Sequence, residues 1–353
     1  MLLPKDYLYN LVTCKIKGPL AACLRGLLFM LSLVYGLAVV IAAGFHRFRP
    51  ARVNCTLISV GNITLGGTGK TSLVEYLVVK LSQKGNKIAV LTRGYKRDIK
   101  LSGEQGMGDE PAMLQKKLPQ TPVIVDKDRL KGAARAIKDH AANILILDDG
   151  MQQWRIFKDL EIVTIDACNP FGNLRLLPAG FLREPLIALS RADIFVLTQV
   201  YPGQDTAGLT ARLRQLNSRA LIVESRHRPE GFGNLHAPDE ILSPDSFNGK
   251  SAVVFSAIGN PRAFENTVSS LGINIAEALR FIDHHDYAQA DLDGIIKCAR
   301  DRNLDTIITT EKDAVKISRL KFTYPGIFSL NIKLVITKNE AEFDRRLLKL
   351  YSL

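Results

Sequence analysis

Cysteine is scarce and carries no pattern. Cys14, Cys23, Cys55, Cys168 and Cys298 are scattered, odd in number and without a C-x-x-C pair. That excludes a disulfide framework and argues for a reducing compartment, with buried thiols in place of ligands. Zinc-finger spacing and an RNA-stacking aromatic signature are both missing, so nothing points to nucleic acid as a partner. Internal repeats and low-complexity tracts are absent as well. Acidic residues fall short of basic ones, 35 against 47, which leaves a formal net charge of +12. With nucleic acid set aside, such an excess suits anionic lipid or a phosphorylated substrate. At 353 residues and 46% hydrophobic, the chain has enough length and apolar content for two domains, each with its own core.

Charge itself is missing from residues 26–44, GLLFMLSLVYGLAVVIAAG. As a helix rising about 1.5 Å per residue, this run approaches the roughly 30 Å thickness of a hydrocarbon core. Arg25 precedes it, and Arg47, Arg49 and Arg52 come after. A cleaved signal peptide fits less well, since its apolar core is shorter and ends in small residues. A buried core helix is the plain alternative. Residues 7–24 mix Lys with Leu, Ala and Tyr, as an interfacial amphipathic helix does. Basic residues on both sides give little orientation, so the side is set by the chemistry of the rest of the chain. Residues 1–52 read as a membrane anchor, spanning or deeply inserted.

Residues 61–72, GNITLGGTGKTS, lie between a β-branched run at 53–60 and an amphipathic run at 72–84. Strand, glycine-rich turn and helix form the context of a phosphate-binding loop. The backbone around Gly66, Gly67, Thr68 and Gly69 is free to curl N–H groups about phosphate oxygens, and the helix start adds its positive end. Lys70 is placed to reach the terminal phosphates, Thr71 to bind Mg²⁺, and Ser72 opens the helix. The motif G-x-x-x-x-G-K-[ST] asks for Gly where this chain has Thr64. A nucleotide site at this point must face the nucleotide pool, which puts the bulk of the chain in the cytoplasm.

Further along, residues 87–92 predict a buried strand running into Arg93 and Gly94, at the carboxyl end where α/β sheets meet phosphates. Arg93 also fits a solvated surface charge. Asp109 precedes the helical run 112–117 and suits an N-cap. Residues 144–147 predict an apolar strand ending in Asp148 and Asp149, the Walker-B position for Mg²⁺. Two adjacent carboxylates repel, so a bound cation gives their placement a reason. The loop 169–185 is too long for a plain connection and is expected to border the site. Pro, Gly and Asn between residues 229 and 248 suggest a boundary. Beyond it, Asp283, His284, His285 and Asp286 place two imidazoles among carboxylates, a pairing suited to acid–base work. As metal ligands they lack a partner at the right spacing.

Taken together, the strings VGNITLGGTGKTS, LTRGY, GDEP, LDDG-x-Q, PFGN-x-RLLPAG-x-LREP, DHH-x-Y and TTEKDAV resemble the tetraacyldisaccharide 4'-kinases of lipid A biosynthesis. They run in that family's order from Val60 to Val315, and the family spells its phosphate loop with this Thr. The resemblance implies transfer of the γ-phosphoryl of ATP, with Mg²⁺, to the 4'-hydroxyl of a lipid disaccharide 1-phosphate. It places the reaction at the cytoplasmic face of the inner membrane, among its lipids, and implies no protein partner. By motif, Lys70 and Thr71 serve the phosphates and Mg²⁺, Arg93 assists, and Asp148 and Asp149 are metal-side acids. Asp109 is similar to the family's catalytic base, supported by His284 or His285, and Glu184 to a further acid near the metal. A free Asp, with a pKa of about 3.9, is a feeble base, so such pairing gives the proton a destination. Where the family reads DDGFQH, this chain has Met151 and, in place of His, Gln153.

The expected fold class is therefore α/β: a P-loop NTPase-like, mainly parallel sheet, a second smaller α/β lobe and an N-terminal membrane helix. The expected organisation is an anchor at 1–52, a kinase core at 53–228, a linker at 229–250 and a C-terminal lobe at 251–353. A membrane-attached P-loop switch or regulatory ATPase is the competing class, because Thr310-Glu311-Lys312-Asp313 faintly resembles a base-reading loop.

Overall fold

The computed structural model describes residues 5–94, 109–237, 240–283 and 285–350. Two compact units form, and each is built from segments distant in the chain. The first takes the described residues up to 93, then 126–226, then those from 336 onward; the second takes the described parts of 94–125 and 227–335.

The first unit opens with helices α1 (Lys5–Val12) and α2 (Pro19–Arg47). Its sheet holds β1 (Thr56–Gly61), β2 (Ile88–Thr92), β4 (Ile144–Asp148), β5 (Leu160–Asp166), β6 (Ile194–Thr198) and the start of β7 (Leu221–Asn234). These strands stand in the order β7-β6-β5-β1-β4-β2, every pair parallel. Helix α3 (Lys70–Ser82) crosses from β1 over to β2, which pairs with β4 instead of β1. The crevice at the carboxyl ends of β1 and β4 therefore sits where strand order reverses, the usual ligand position in an open α/β sheet. Burial follows the expected pattern. Strands β2 and β4 are buried at every residue, as strands covered on both faces must be. Leu73, Val74, Leu77, Val78 and Leu81 form the buried stripe of α3. Helix α5 (Arg129–His140) is capped by Asp128, whose side chain accepts from the Leu130 and Lys131 N–H groups. Helix α6 (Ala207–Leu216) connects β6 to β7.

Chain-terminal α10 (Glu340–Leu348) rejoins this unit on α3. Phe343 is fully buried near the Tyr76 ring, and Lys80 bridges to both Glu340 and Asp344. The second unit carries a parallel set in the order β10 (Asn274–Arg280), β9 (Ser251–Ser256), β11 (Ile307–Thr310) and β12 (Ile327–Lys338). The short β3 (Val123–Val125) and helices α4 (Asp109–Lys117), α7 (Pro261–Ser270), α8 (Gln289–Asp301) and α9 (Glu311–Ile317) belong to it. The change of unit falls between Arg226 and His227, inside β7, close to the start of the break expected at 229–250. Strand β7 continues through Pro229 and Gly231 to Asn234, and pairs with the short β8 (Ile241–Leu242). Turn-forming residues there are absorbed by a strand whose backbone has partners.

Helix α2 is apolar nearly all round, and among the described residues it is the one helix long and apolar enough to cross a membrane. Its buried positions are only Ala21, Ser32, Gly36 and Ala43. Leu27, Met30, Val34, Leu37 and Ile41 are all more than half exposed. The core-helix alternative therefore fails, since a core helix buries such side chains.

Gly61 fixes how closely the end of β1 meets the turn after β4. A Cβ placed there would lie 2.5 Å from both the Cβ and the backbone nitrogen of Met151. Gly61→Ala is expected to cost about 1–3 kcal/mol by overpacking against backbone. A lowered denaturant midpoint with an unchanged slope checks this; an unchanged midpoint contradicts the close approach.

Candidate active site

Gly69 caps α3 with φ 76°, a left-handed conformation that side-chain-bearing residues adopt at a cost, and its carbonyl accepts from Leu73. Lys70, Thr71 and Ser72 form the first turn of α3. The loop before them is pinned from below. Thr68 Oγ1 shares a 2.7 Å hydrogen bond with Thr164 Oγ1, and the Thr68 carbonyl accepts from Thr198 at 3.1 Å. Above, residues 65–67 are exposed, and a Cβ on Gly66 or Gly67 would meet nothing within 4 Å. A rigid base under an open backbone suits a phosphate cradle.

The cradle's cation is part of a tight polar knot. Lys70 Nζ donates to Asn62 Oδ1 at 3.0 Å and lies 3.6 Å from Asp149 Oδ1. Arg183 grips both oxygens of Asp149, at 2.6 and 2.9 Å, and also donates to Asn62 Oδ1 at 3.2 Å. Such bidentate pairs are among the strongest hydrogen-bonded contacts a carboxylate makes. Asp149 adopts φ 59°, so the backbone after β4 is turned to present this side chain. Burial opposes its charge, but the Arg183 hydrogen bonds and the Lys70 and Arg183 charges outweigh that and lower the carboxyl pKa to about 2. Asp148 is buried at the end of β4, and Arg129, also buried, lies within its electrostatic reach and that of Arg93 and Asp149. Burial pushes the Arg129 guanidinium below its ordinary range, and Asp148 pulls the other way.

The expected loop residues and Lys70, Arg93, Asp148 and Asp149 thus come together at one crevice of the first unit. Glu184, expected as a further acid near the metal, is already engaged by protein groups. It is buried, and Arg191 binds both its oxygens, at 2.7 and 2.8 Å. Gln152 and Trp154 donate to the same carboxylate, so Glu184 braces the turn after β4. Met151 is fully buried in the apolar cluster with Ile63 and Leu182, which explains how Met serves in place of Phe. Among the described residues no cluster of three or more His, Cys, Asp or Glu side chains is poised for a metal. Mg²⁺ does not need one, because it binds through one or two carboxylates plus substrate phosphates.

The other expected groups belong to the second unit. Asp109 is the first residue of α4, but its side chain lies outside the described residues, as does His284. His285 Nε2 lies 2.9 Å from Asp291 Oδ2, with its ring stacked on Phe281 and edge-on to Tyr287. Its carboxylate partner is thus one that sequence reading passed over. The Thr310–Asp313 segment is a helix start: Thr310 Oγ1 accepts from the Asp313 N–H, and Glu311 pairs with Lys117 at 2.9 Å. The Asp313 carboxylate is fully buried and accepts from the Ala257 N–H at 2.9 Å and the Thr310 hydroxyl at 2.8 Å, so it is held inside the second unit and not offered to a nucleotide base.

Arg183, Asn62 and Arg129 join the crevice although no motif gives them a role. Arg183 had a signal, since it stands in the long loop expected to border the site. Arg129 had none, because a buried arginine at a helix start is spelled like a solvated one. The Asp149 pairing has a pH consequence. A carboxyl whose pKa is about 2 in the fold and 3.8 when free favours folding above pH 4, and that contribution is lost as pH falls from 4 to 2. Asp149→Asn is therefore expected to flatten the acid limb of stability between pH 4 and 2, measured by denaturant midpoints. An unchanged acid limb contradicts the pairing.

The model of the family described as tetraacyldisaccharide-1-P 4'-kinase matches residues 24–352. The tetraacyldisaccharide 4'-kinase of Halothermothrix orenii is 36% identical over 345 residues, covering 89% of this chain and 88% of that protein. That of Syntrophus aciditrophicus is 36% identical over 350 residues and covers 92% of each. A crystal structure of LpxK from Aquifex aeolicus in complex with ATP superposes with a TM-score of 0.71 at 28% identity, covering 93% of this chain and 99% of that one. Crevice, loop and near full-length similarity agree: the chain belongs to the tetraacyldisaccharide-1-P 4'-kinase family, enzymes of lipid A biosynthesis that transfer phosphate to a sugar hydroxyl.

Proposed function

We propose that the crevice at β1 and β4 holds ATP and that its γ-phosphoryl passes to the 4'-hydroxyl of a tetraacyldisaccharide 1-phosphate. The observation that carries this reading is the meeting of Lys70, at the start of α3, with Asp149, at the end of β4. Phosphoryl transfer asks for positioning and charge neutralisation more than for covalent help. The N–H groups of residues 66–72 and the Lys70 ammonium take up phosphate charge, and Arg93 adds a second cation from the end of β2. Thr71, Asp148 and Asp149 are the residues suited to hold Mg²⁺, which when bound offsets the charge on the β- and γ-phosphates. The Asp149 oxygens that would hold the metal are the ones the Arg183 guanidinium grips, which makes Arg183 a third cation beside the phosphates.

Asp109, at the start of α4, takes the proton of the sugar hydroxyl. His285 has Nε2 engaged by Asp291, which supports His284 as the partner of Asp109. Acyl chains reach this site from the lipid side. Mid-helix residues of α2 touch the loop at 169–185: Tyr35 donates to the Arg183 carbonyl, and Gly36 packs on Leu176. A helix docked by its middle on the protein's own loop is not surrounded by lipid there, which supports a seat for α2 along the cytoplasmic leaflet of the inner membrane. An open pocket of about 560 Å³ at its carboxyl end is lined by Phe45, Phe48 and Leu130 as well as His46, Arg49 and Arg155, and the two arginines are suited to anionic headgroups.

Asp109→Ala is expected to lower turnover about 10²–10⁴-fold, the usual span for a lost general base, while the ATP dissociation constant stays within about twofold. Label transfer from ATP to the lipid disaccharide, with equilibrium ATP binding alongside, checks this. Full turnover, or weakened binding with turnover intact, would leave Asp109 as a helix-start residue only.

A further inference from the structure

Arg183 is fixed at three points. Its guanidinium holds Asp149 and Asn62, and its N–H donates to the Ile63 carbonyl at 2.8 Å. The third point comes from α2: the Tyr35 hydroxyl donates to the Arg183 carbonyl at 2.9 Å, across 148 residues of sequence. The rest of the loop is strapped in the same way. On one side Leu176 meets Gly36, the Arg175 guanidinium stands 5.4 Å from the Phe29 ring, and the Phe181 ring lies 5.8 Å from that of Tyr9. On the other, the Phe181 carbonyl accepts from Leu65 of the phosphate loop at 2.7 Å. The loop therefore runs as a hydrogen-bonded strap from the anchor helix to the phosphate cradle.

Tyrosine is common at membrane interfaces, where its hydroxyl seeks headgroups and its ring seeks lipid. Tyr35 points its hydroxyl the other way, into the protein. We propose that Tyr35 is a positioning residue for phosphoryl transfer. Its hydroxyl fixes the Arg183 backbone, and through Arg183 the seating of α2 sets the geometry of Asp149, Asn62 and Lys70. The inference rests on the kinase reading above and goes beyond it, because it makes the membrane helix part of the catalytic geometry and not only a tether.

Tyr35→Phe removes one oxygen and keeps the ring, so packing and lipid affinity are preserved. In mixed micelles containing the lipid disaccharide, it is expected to lower kcat about two- to tenfold, the range one lost hydrogen bond spans. Binding to anionic vesicles should stay unchanged. Ser32→Ala, which removes a hydroxyl that only back-bonds to Phe29 within α2, should match the unmodified protein. In an Arg183→Ala background, Tyr35→Phe should cause no further loss, because its effect passes through Arg183. Unchanged kcat, an equal proportional loss in both backgrounds, or a loss matched by weaker vesicle binding would each overturn the proposal. Absence of transfer by the unmodified chain would instead overturn the kinase reading, so the two failures are distinguishable.

Discussion

The crevice depends on one ion pair, Arg183 with Asp149. Both are partly exposed, so solvent screens the pair, and its bidentate geometry matters more than its charge. Asn62 is the hinge of the arrangement. Its Oδ1 accepts from both Lys70 and Arg183, while its Nδ2 donates to the Thr64 carbonyl at 2.7 Å. One buried amide thus links the two cations to the backbone of the phosphate loop. Thr64, the residue that departs from the common P-loop spelling, is buried and bridged to Leu182 on the strap. A glycine there would keep the backbone bridge but lose the buried side chain, a physical reason for the Thr.

Behind the ion pair stands a second layer. Arg191 holds Glu184, Glu184 holds Gln152, and Gln152 donates to the Asn62 carbonyl at 3.2 Å. Lys158 and Ser59 both donate to Glu161 beneath the same turn. Buried charges of this kind stabilise little unless every member is paired, and removing one member leaves the other uncompensated. Their placement around residues 150–152 gives them a clear task, which is to hold the turn that presents Asp149.

What was legible in the sequence was local. A β-branched run, three glycines, Lys70 and an apolar stripe lie within some thirty residues, so the strand, the cradle and α3 could all be read. The pair of acids at the end of β4 could be read for the same reason. Tyr35, Arg183 and Arg129 could not, because their partners lie far away in sequence and their side chains look like ordinary surface or interface residues. Chain path was obscured in two places. Pro229 and Gly231 read as punctuation although β7 carries them, and α10 returns to α3 with no local signal beyond its own amphipathic pattern. For Glu184 the motif implies a place near the metal, and only the fold shows that Arg191 and Gln152 already hold its carboxylate.

If Arg183 and Mg²⁺ share the oxygens of Asp149, the guanidinium and the metal must compete. The Mg²⁺ concentration that half-saturates ATP binding, compared between the unmodified chain and Arg183→Ala, reads that competition directly. Removing the guanidinium is then expected to lower the Mg²⁺ requirement while phosphoryl transfer slows. An unchanged or raised Mg²⁺ requirement would contradict the sharing and return the Arg183–Asp149 pair to a purely structural role.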